Sequence, residues 1–139
     1  MKKQGIKNIV MLTGDNKKIG ENVAKKLGIT KVFSELLPTQ KVEKLEEVMI
    51  ENGKNAGKVL FVGDGINDAP VLARADVGVA MGGVGSDAAI EAADVVIMND
   101  EPSKIVTAIE IAKKTKTIVW QNIIFALAVK GIILIMGAL

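Results

Sequence analysis

The sequence predicts an α/β domain built on a three-layer parallel sheet, followed by one transmembrane helix. Apolar runs of strand length alternate with amphipathic stretches of helix length through residues 1–117. The strands are apolar throughout, which is typical of parallel strands that helices cover on both faces. Residues 118–139 carry one charge, and a helix of 22 residues spans about 33 Å, the thickness of a bilayer core. The predicted domain boundary therefore lies near residue 117.

The alternation assigns each element in order. The predicted strands are NIVML, KVFSEL, KVLFVGDG, DVGVAM and DVVIM. The predicted helices are DNKKIGENVAKKLG, PTQKVEKLEEVMIENG, NDAPVLARA, SDAAIEAA and EPSKIVTAIEIAKKTK. The first helix should end at Gly28, because glycine readily adopts the left-handed conformation of a helix C-cap. The apolar face that we expect this helix to bury comprises Ile19, Val23, Ala24 and Leu27. The corresponding face of the second helix comprises Val42, Leu45, Val48 and Met49.

Composition excludes several kinds of site. The chain has no cysteine and no histidine, so disulfides, Cys/His zinc sites and Ser/His or Cys/His dyads are ruled out. Polar chemistry must come from carboxylates, lysine, threonine, serine and asparagine. The net charge of +2, with three Phe, one Trp and no Tyr, argues against nucleic acid as a partner.

Two predicted strands end in short polar clusters, where parallel sheets usually bind ligands. VMLTGD ends in Thr13, Gly14 and Asp15, and LFVGDG leads into Asp64, Gly65, Asn67 and Asp68. Glycines allow main-chain N–H groups to approach an anion, and the Thr13 hydroxyl can donate to a phosphate oxygen. The carboxylates of Asp64 and Asp68 are hard oxygen donors that suit Mg²⁺. Lys41, near the start of the second helix, can offer a positive charge to a phosphoryl group.

Each of these residues also has a simpler interpretation. Asp64 and Asn67 can be ordinary turn residues. Asp15 can be the N-cap of the first helix. Lys41 can be a solvated surface lysine. The GGVG run at residues 82–85 matches no nucleotide-loop motif and is interpreted as a loop.

In combination the motifs are more specific than any one alone. MLTGDN, LLPTQK, VGDGINDAPVLARADVGVAMG and SDAAIEAADVVIM resemble, in this order, the second half of the phosphorylation domain of P-type ATPases, which belong to the haloacid dehalogenase-like superfamily. The resemblance implies that Asp64 is a Mg²⁺ ligand, and that Asn67 and Asp68 help to hold the phosphorylated site. It implies that Thr13 and Lys41 contact the phosphoryl group and that Gly14 and Asp15 belong to the same strand-end motif. Mg²⁺ and ATP are the implied cofactors of the intact pump.

The family's nucleophile is the aspartate of a DKTGT motif, and that string does not occur in this sequence. We therefore expect a fragment of a pump that forms no phosphoenzyme by itself. Its implied partners are the membrane and the pump's nucleotide-binding, actuator and remaining membrane domains. A soluble phosphatase of the same superfamily would not carry the apolar C-terminal segment. A membrane-tethered regulatory or partner fragment without catalysis stays open as an alternative.

The apolar segment points to a branch of the family. Asn122 is followed after seven residues by Lys130, a spacing that resembles the zinc, cadmium and lead pumps. Copper pumps would show a Tyr-Asn pair, although a copper-type fragment stays a further alternative. Lys130 lies in the middle of the segment, where a charge is costly and usually functional, so we expect it to line the path of a divalent heavy-metal cation. Lys113, Lys114 and Lys116 precede the segment, which predicts entry from the cytoplasm and a location in the cell membrane.

Overall fold

The structure is a computed structural model that describes residues 5–53, 57–64, 66–82, 87–99 and 101–138. The chain divides into two units. Ile6–Glu101 forms one compact unit, and the second unit contains the long helix that follows Pro102.

Strands and helices alternate along the chain as the sequence predicts. The strands are β1 (Val10–Leu12), β2 (Lys31–Phe33), β3 (Leu60–Gly63), β4 (Val77–Met81) and β5 (Val95–Ile97). The helices are α1 (Lys17–Leu27), α2 (Pro38–Asn52), α3 (Ala69–Arg74), α4 (Asp87–Ala92) and α5 (Ser103–Ala138). A short 3₁₀ turn, Ile66–Asp68, precedes α3.

All described strand pairs are parallel, which confirms the predicted α/β class. β1 pairs with β2, and β3, β4 and β5 form a second sheet in that order. Within the described ranges no ladder joins β1 to β3, so the strands form a two-stranded and a three-stranded sheet where the sequence predicts one. Among the described strands, β1 therefore pairs only with β2, and β3 pairs only with β4.

The hydrophobic core lies around β4. Leu72 of α3, Ala80 of β4 and Ala89 of α4 are almost fully buried and pack with Phe61 and Val96. A Cβ atom at Gly78 would lie 2.5 Å from the Leu72 carbonyl oxygen, so only glycine lets α3 approach β4 this closely. The burial of β4 on both faces explains why its sequence does not alternate.

The predicted inward face is confirmed for α2 and mostly wrong for α1. In α2, Leu45 is buried and Val42, Val48 and Met49 are half-buried. In α1, only Ala24 of the four predicted residues is buried. Ile19 and Leu27 are 49% and 67% exposed, and Val23 is also exposed. The reason is that α1 turns the small residues Gly20 and Ala24 inward, one helical turn apart, so the larger apolar side chains lie to the side of the contact. The predicted C-cap at Gly28 is confirmed by its left-handed φ of 69°.

Aspartates lie just before β4 and β5, at the strand ends opposite to those that carry the polar clusters, and they hold these strands in register. The Asp76 carboxylate, just before β4, accepts a hydrogen bond from the Val59 N–H at 2.9 Å. The Asp94 carboxylate, just before β5, accepts one from the Gly78 N–H at 2.8 Å. Both aspartates occur in an Ala-Asp-Val triplet, so one local device sets the register of two successive parallel strands. The side-chain hydrogen bond from Lys58, together with the bond from the Val59 N–H, lowers the pKa of Asp76.

We expect Asp76→Asn to lower the free energy of unfolding at neutral pH. The amide can still accept from Val59, but it loses the charge that Lys58 stabilises. Because the pKa of Asp76 is lowered in the folded state, its stabilisation is complete above the unfolded pKa of about 4 and is lost as the pH falls through the folded value. Urea unfolding in detergent should therefore show a gap between wild type and variant that closes below about pH 4.

Glu43→Gln, an exposed change of the same kind on α2, is the control and should leave stability nearly unchanged. A gap for Asp76→Asn that stays constant across this pH range would contradict the role assigned to the carboxylate charge.

Candidate active site

The first polar cluster is a tight turn at the end of β1. The main-chain N–H of Thr13 donates to the Phe33 carbonyl at 2.9 Å, continuing the pairing of β1 with β2. The Thr13 hydroxyl donates to the Asp15 carboxylate at 2.9 Å and accepts from the Asp15 N–H at 3.1 Å. The hydroxyl oxygen is therefore held in place at the strand end.

The segment after β2 supports this turn from the other side. The Glu35 N–H donates to the Asp15 carbonyl at 2.8 Å, and the Leu36 N–H donates to the Thr13 carbonyl at 3.1 Å. Glu35 has a φ of 59°, a left-handed conformation that is uncommon for a residue other than glycine. The predicted strand KVFSEL consequently ends at Phe33, because the left-handed residue turns the chain toward the Thr13 turn. A Cβ atom at Gly14 would lie 3.3 Å from the Leu36 carbonyl oxygen.

Asp15 does not cap α1. The N-cap is Asn16, whose side-chain oxygen accepts from the Ile19 N–H at 3.0 Å. The helix-cap interpretation of Asp15 is therefore wrong, and its carboxylate faces the Thr13 hydroxyl instead.

Gly20 is a supporting residue that the sequence reasoning missed. A Cβ atom at this position would lie 2.5 Å from Ser34 Oγ and 3.1 Å from Thr13 Cγ2, so α1 rests directly against the Thr13 turn. A glycine inside a helix costs about 1 kcal/mol relative to alanine. That cost is the signal in the sequence that points to a close contact at this position.

The second polar cluster follows β3. Asp64 is exposed at the strand tip, and Gly65 lies outside the described residues, as do residues 83–85 of the GGVG run. Asn67 is exposed on the 3₁₀ turn, whereas Asp68, counted as a whole residue, is only 8% exposed. A Cβ atom at Gly63 would lie 2.8 Å from Asp68 Cβ, so the glycine allows Asp68 to fold back against the strand end.

Asp68 forms an ion pair with Lys41. The Lys41 Nζ lies 2.6 Å from Asp68 Oδ1, and the two side chains are 16% and 12% exposed. Lys41 belongs to the first turns of α2, where the Gln40 side chain caps the helix by accepting from the Leu37 N–H at 2.8 Å. The interpretation of Lys41 as a solvated surface lysine is therefore wrong.

The predicted site residues form two pairs. Thr13 bonds to Asp15 and Lys41 bonds to Asp68, and among the described residues no hydrogen bond connects one pair to the other. The described part of the chain contains no group of three or more acidic side chains that could cage a metal ion. Lys130 lies on α5, in the second unit. The first unit thus offers an ammonium group, a hydroxyl group and carboxylates, a set of groups suited to an anion accompanied by a cation.

Curated relatives match almost the whole chain. It is 62% identical to the "Cadmium, zinc and cobalt-transporting ATPase" of Bacillus subtilis over 99% of this chain and 20% of the relative. It is 52% identical to the "Zinc-transporting ATPase" of Synechocystis over 100% of this chain and 19% of the relative. The chain therefore spans about a fifth of the length of these relatives.

Solved structures give the same picture. A zinc-transporting PIB-type ATPase matches with a TM-score of 0.82 and 37% identity, over 95% of this chain and 21% of that chain. The catalytic domain CopB-B of a CPx-ATPase matches with a TM-score of 0.67 and 36% identity, over 77% of this chain and 40% of that domain chain. These matches confirm the resemblance to heavy-metal P-type ATPases that the motifs indicate. A family model described as haloacid dehalogenase-like hydrolase matches residues 1–76, more than half of the sequence, and the chain belongs to that family.

Proposed function

We propose that this chain supplies the phosphoryl-binding and Mg²⁺-binding edge of an ATP-driven pump for divalent heavy-metal cations of the zinc and cadmium class. The observation that carries the proposal is the Lys41–Asp68 ion pair, which stands at the strand ends of a chain 62% identical to a cadmium, zinc and cobalt-transporting ATPase. A structural salt bridge alone would not require Asp64, Asn67 and the Thr13 turn at similar strand-end positions.

Mg²⁺ suits the carboxylates near β3. It keeps several waters and usually binds through one or two carboxylates together with phosphate oxygens, so it needs no cage of acidic residues. Asp64 is exposed at the strand tip, and Asp68 engages Lys41 through Oδ1, which leaves Oδ2 for another partner. We propose these two carboxylates as the protein ligands. When bound, Mg²⁺ would neutralise charge on a phosphoryl group during its transfer.

Lys41 and Thr13 are the proposed phosphoryl contacts. Asp68 holds the Lys41 ammonium in one position, so this charge need not be ordered when a phosphoryl group arrives. The Thr13 oxygen is held by the Asp15 N–H, so its proton can rotate from the Asp15 carboxylate to a phosphate oxygen while the oxygen stays in place. The exposed amide of Asn67 can add a further donor.

The second unit contributes the membrane part of the proposal. Among the described residues, α5 is the one helix that is long and apolar enough to cross a membrane. Lys130 is exposed on it, among apolar side chains such as Val129 and Ile132. A lone ammonium near the centre of a bilayer costs at least about 2.5 kcal/mol. We therefore propose that Lys130 pairs with a carboxylate of another membrane helix along the cation path.

Two alternatives remain as outcomes of the tests. The names of the curated relatives favour cadmium and zinc over a copper-type pump. A regulatory fragment without catalysis would use the same surfaces but would not support transport when built into a pump.

The 139-residue chain alone should form no phosphoenzyme, because it contains no DKTGT string to supply the acceptor aspartate. Incubation with labelled ATP, Mg²⁺ and zinc, followed by acid quenching, should leave no label on the protein. A covalently labelled chain would show that an aspartate in this sequence accepts the phosphoryl group.

A chimeric pump tests the Mg²⁺ assignment. This chain would replace the corresponding segment of the Bacillus subtilis cadmium, zinc and cobalt-transporting ATPase, and metal-stimulated ATP hydrolysis would be measured in vesicles. Asp64→Ala should lower turnover by about two orders of magnitude or more, the loss typical of removing one electrostatic stabiliser. The matched control is Glu43→Ala, an exposed acidic residue of α2 to which the proposal gives no role, which should retain full turnover. Normal turnover by the Asp64 variant would refute the ligand assignment, whereas an inactive unmutated chimera would oppose the pump proposal itself.

The same chimera tests the cation path. Lys130→Ala should change transport of zinc, cadmium or lead. ATP binding and the folding of the first unit should be preserved, because Lys130 lies in the second unit. Lys18→Ala, on the surface of α1, is the control for loss of a lysine charge. Unchanged uptake of all three metals into inverted vesicles would show that Lys130 has no part in transport.

A further inference from the structure

A basic and aromatic stripe lies on α5 where the helix becomes apolar. Lys113, Lys114 and Lys116 are exposed, and Trp120 follows one turn later with 56% exposure. From Thr117 to Val129 the helix carries no charge. The stripe therefore marks the change from a charged to an apolar surface within one continuous helix.

Helical geometry places three of these four side chains on one face, while Lys114 lies about 100° from Lys113 around the axis, on the adjacent face. Lys113, Lys116 and Trp120 are spaced i, i+3 and i+7, so they lie within about 60° of one another around the helix axis. Trp120 lies about 6 Å beyond Lys116 along the axis at ~1.5 Å per residue. An ammonium group followed at this distance by an indole matches the passage from lipid phosphates to the upper acyl chains, where tryptophan is enriched.

We propose that Lys113, Lys114, Lys116 and Trp120 form a binding surface for anionic phospholipid headgroups, with the lysines on the phosphate and the indole against the upper acyl chain. The inference rests on the proposed crossing of the membrane by α5. Glu110 is the one acidic residue of α5, so the three lysines keep a net positive charge even with this carboxylate beside them. A lipid fits better than free phosphate, because only a lipid also covers the apolar helix surface that begins at Ile118.

The expected strength follows from membrane electrostatics. Each lysine near an anionic surface favours binding by about fivefold, and high salt screens the effect. Removing all three charges should therefore abolish a preference for anionic over zwitterionic lipid of up to about a hundredfold.

The intrinsic fluorescence of the chain reports directly on this surface, since Trp120 is the single tryptophan and there is no tyrosine. The full chain would be reconstituted into vesicles of phosphatidylcholine and phosphatidylglycerol in which one lipid at a time is brominated near the top of its acyl chains. Brominated phosphatidylglycerol should quench Trp120 more strongly than brominated phosphatidylcholine at equal mole fraction, and added salt should reduce the difference.

The variant that tests the proposal is Lys113→Gln/Lys114→Gln/Lys116→Gln, in which both lipids should quench equally. The matched control, Lys18→Gln/Lys25→Gln/Lys26→Gln, removes three exposed lysines from α1 in the other unit and should keep the preference. Circular dichroism would verify equal helix content in the two variants.

The outcomes separate the proposal from its premise. Equal quenching of the unmutated chain, or a preference that survives in the α5 variant, overturns the lipid surface but leaves the membrane crossing intact. Quenching by neither lipid overturns both, because α5 would then lie outside the bilayer. Loss of the preference on adding inorganic phosphate at constant ionic strength would identify a soluble anion as the ligand, and would also overturn the lipid assignment.

Discussion

The ion pair between Lys41 and Asp68 is the contact on which the arrangement of the first unit depends. Lys41 belongs to the helix that follows the two-stranded sheet, and Asp68 to the turn that follows the first strand of the three-stranded sheet. No described ladder joins the two sheets, and contacts between α2 and the segment after β3 link the elements of one sheet to those of the other. Glu46 and Arg74 form a second ion pair between α2 and α3 at 2.5 Å, but on the surface. Losing one partner of a buried pair costs about 3–5 kcal/mol, far more than losing an exposed one, and the slight exposure of Lys41 and Asp68 places them at the lower end.

Aspartate has different roles at the two ends of the strands. At the strand entries, Asp76 and Asp94 accept main-chain hydrogen bonds and fix the register. At the strand exits, Asp64 is left exposed to solvent and Asp68 keeps one oxygen beyond its bond to Lys41. An aspartate at a strand boundary is therefore informative only with the direction of the strand. Of these four carboxylates, those that accept no described main-chain hydrogen bond are at the carboxyl ends, where parallel sheets bind ligands.

Local signals in the sequence were enough for most of the fold, but not for contacts between distant residues. The apolar runs of β3, β4 and β5 and the glycine cap at Gly28 depend on neighbouring residues and were predicted. The inward face of α1 was not, because hydrophobic periodicity favours the large side chains, while close packing selected Gly20 and Ala24. The end of β2 depends on the left-handed conformation of Glu35, for which the sequence shows no signal. The Lys41–Asp68 pair joins residues 27 positions apart, so the sequence suggested a role for each residue without showing that they bind each other.

The long helix links the lipid surface to the depth of Lys130. α5 runs without interruption through residue 117, where the sequence predicted a boundary, and its 36 residues span about 54 Å, well beyond a bilayer core of about 30 Å. In the proposed crossing, some of the helix therefore lies outside the hydrocarbon, and the apolar pattern alone would allow the helix to slide by several residues. The proposed anchor at Trp120 would remove that freedom. Lys130 follows ten residues later, about 15 Å along the axis, which is half the thickness of the core. Lysines bound to headgroups would thus hold the ammonium group of Lys130 at the bilayer midplane. At that depth a cation that crosses the membrane is farthest from water.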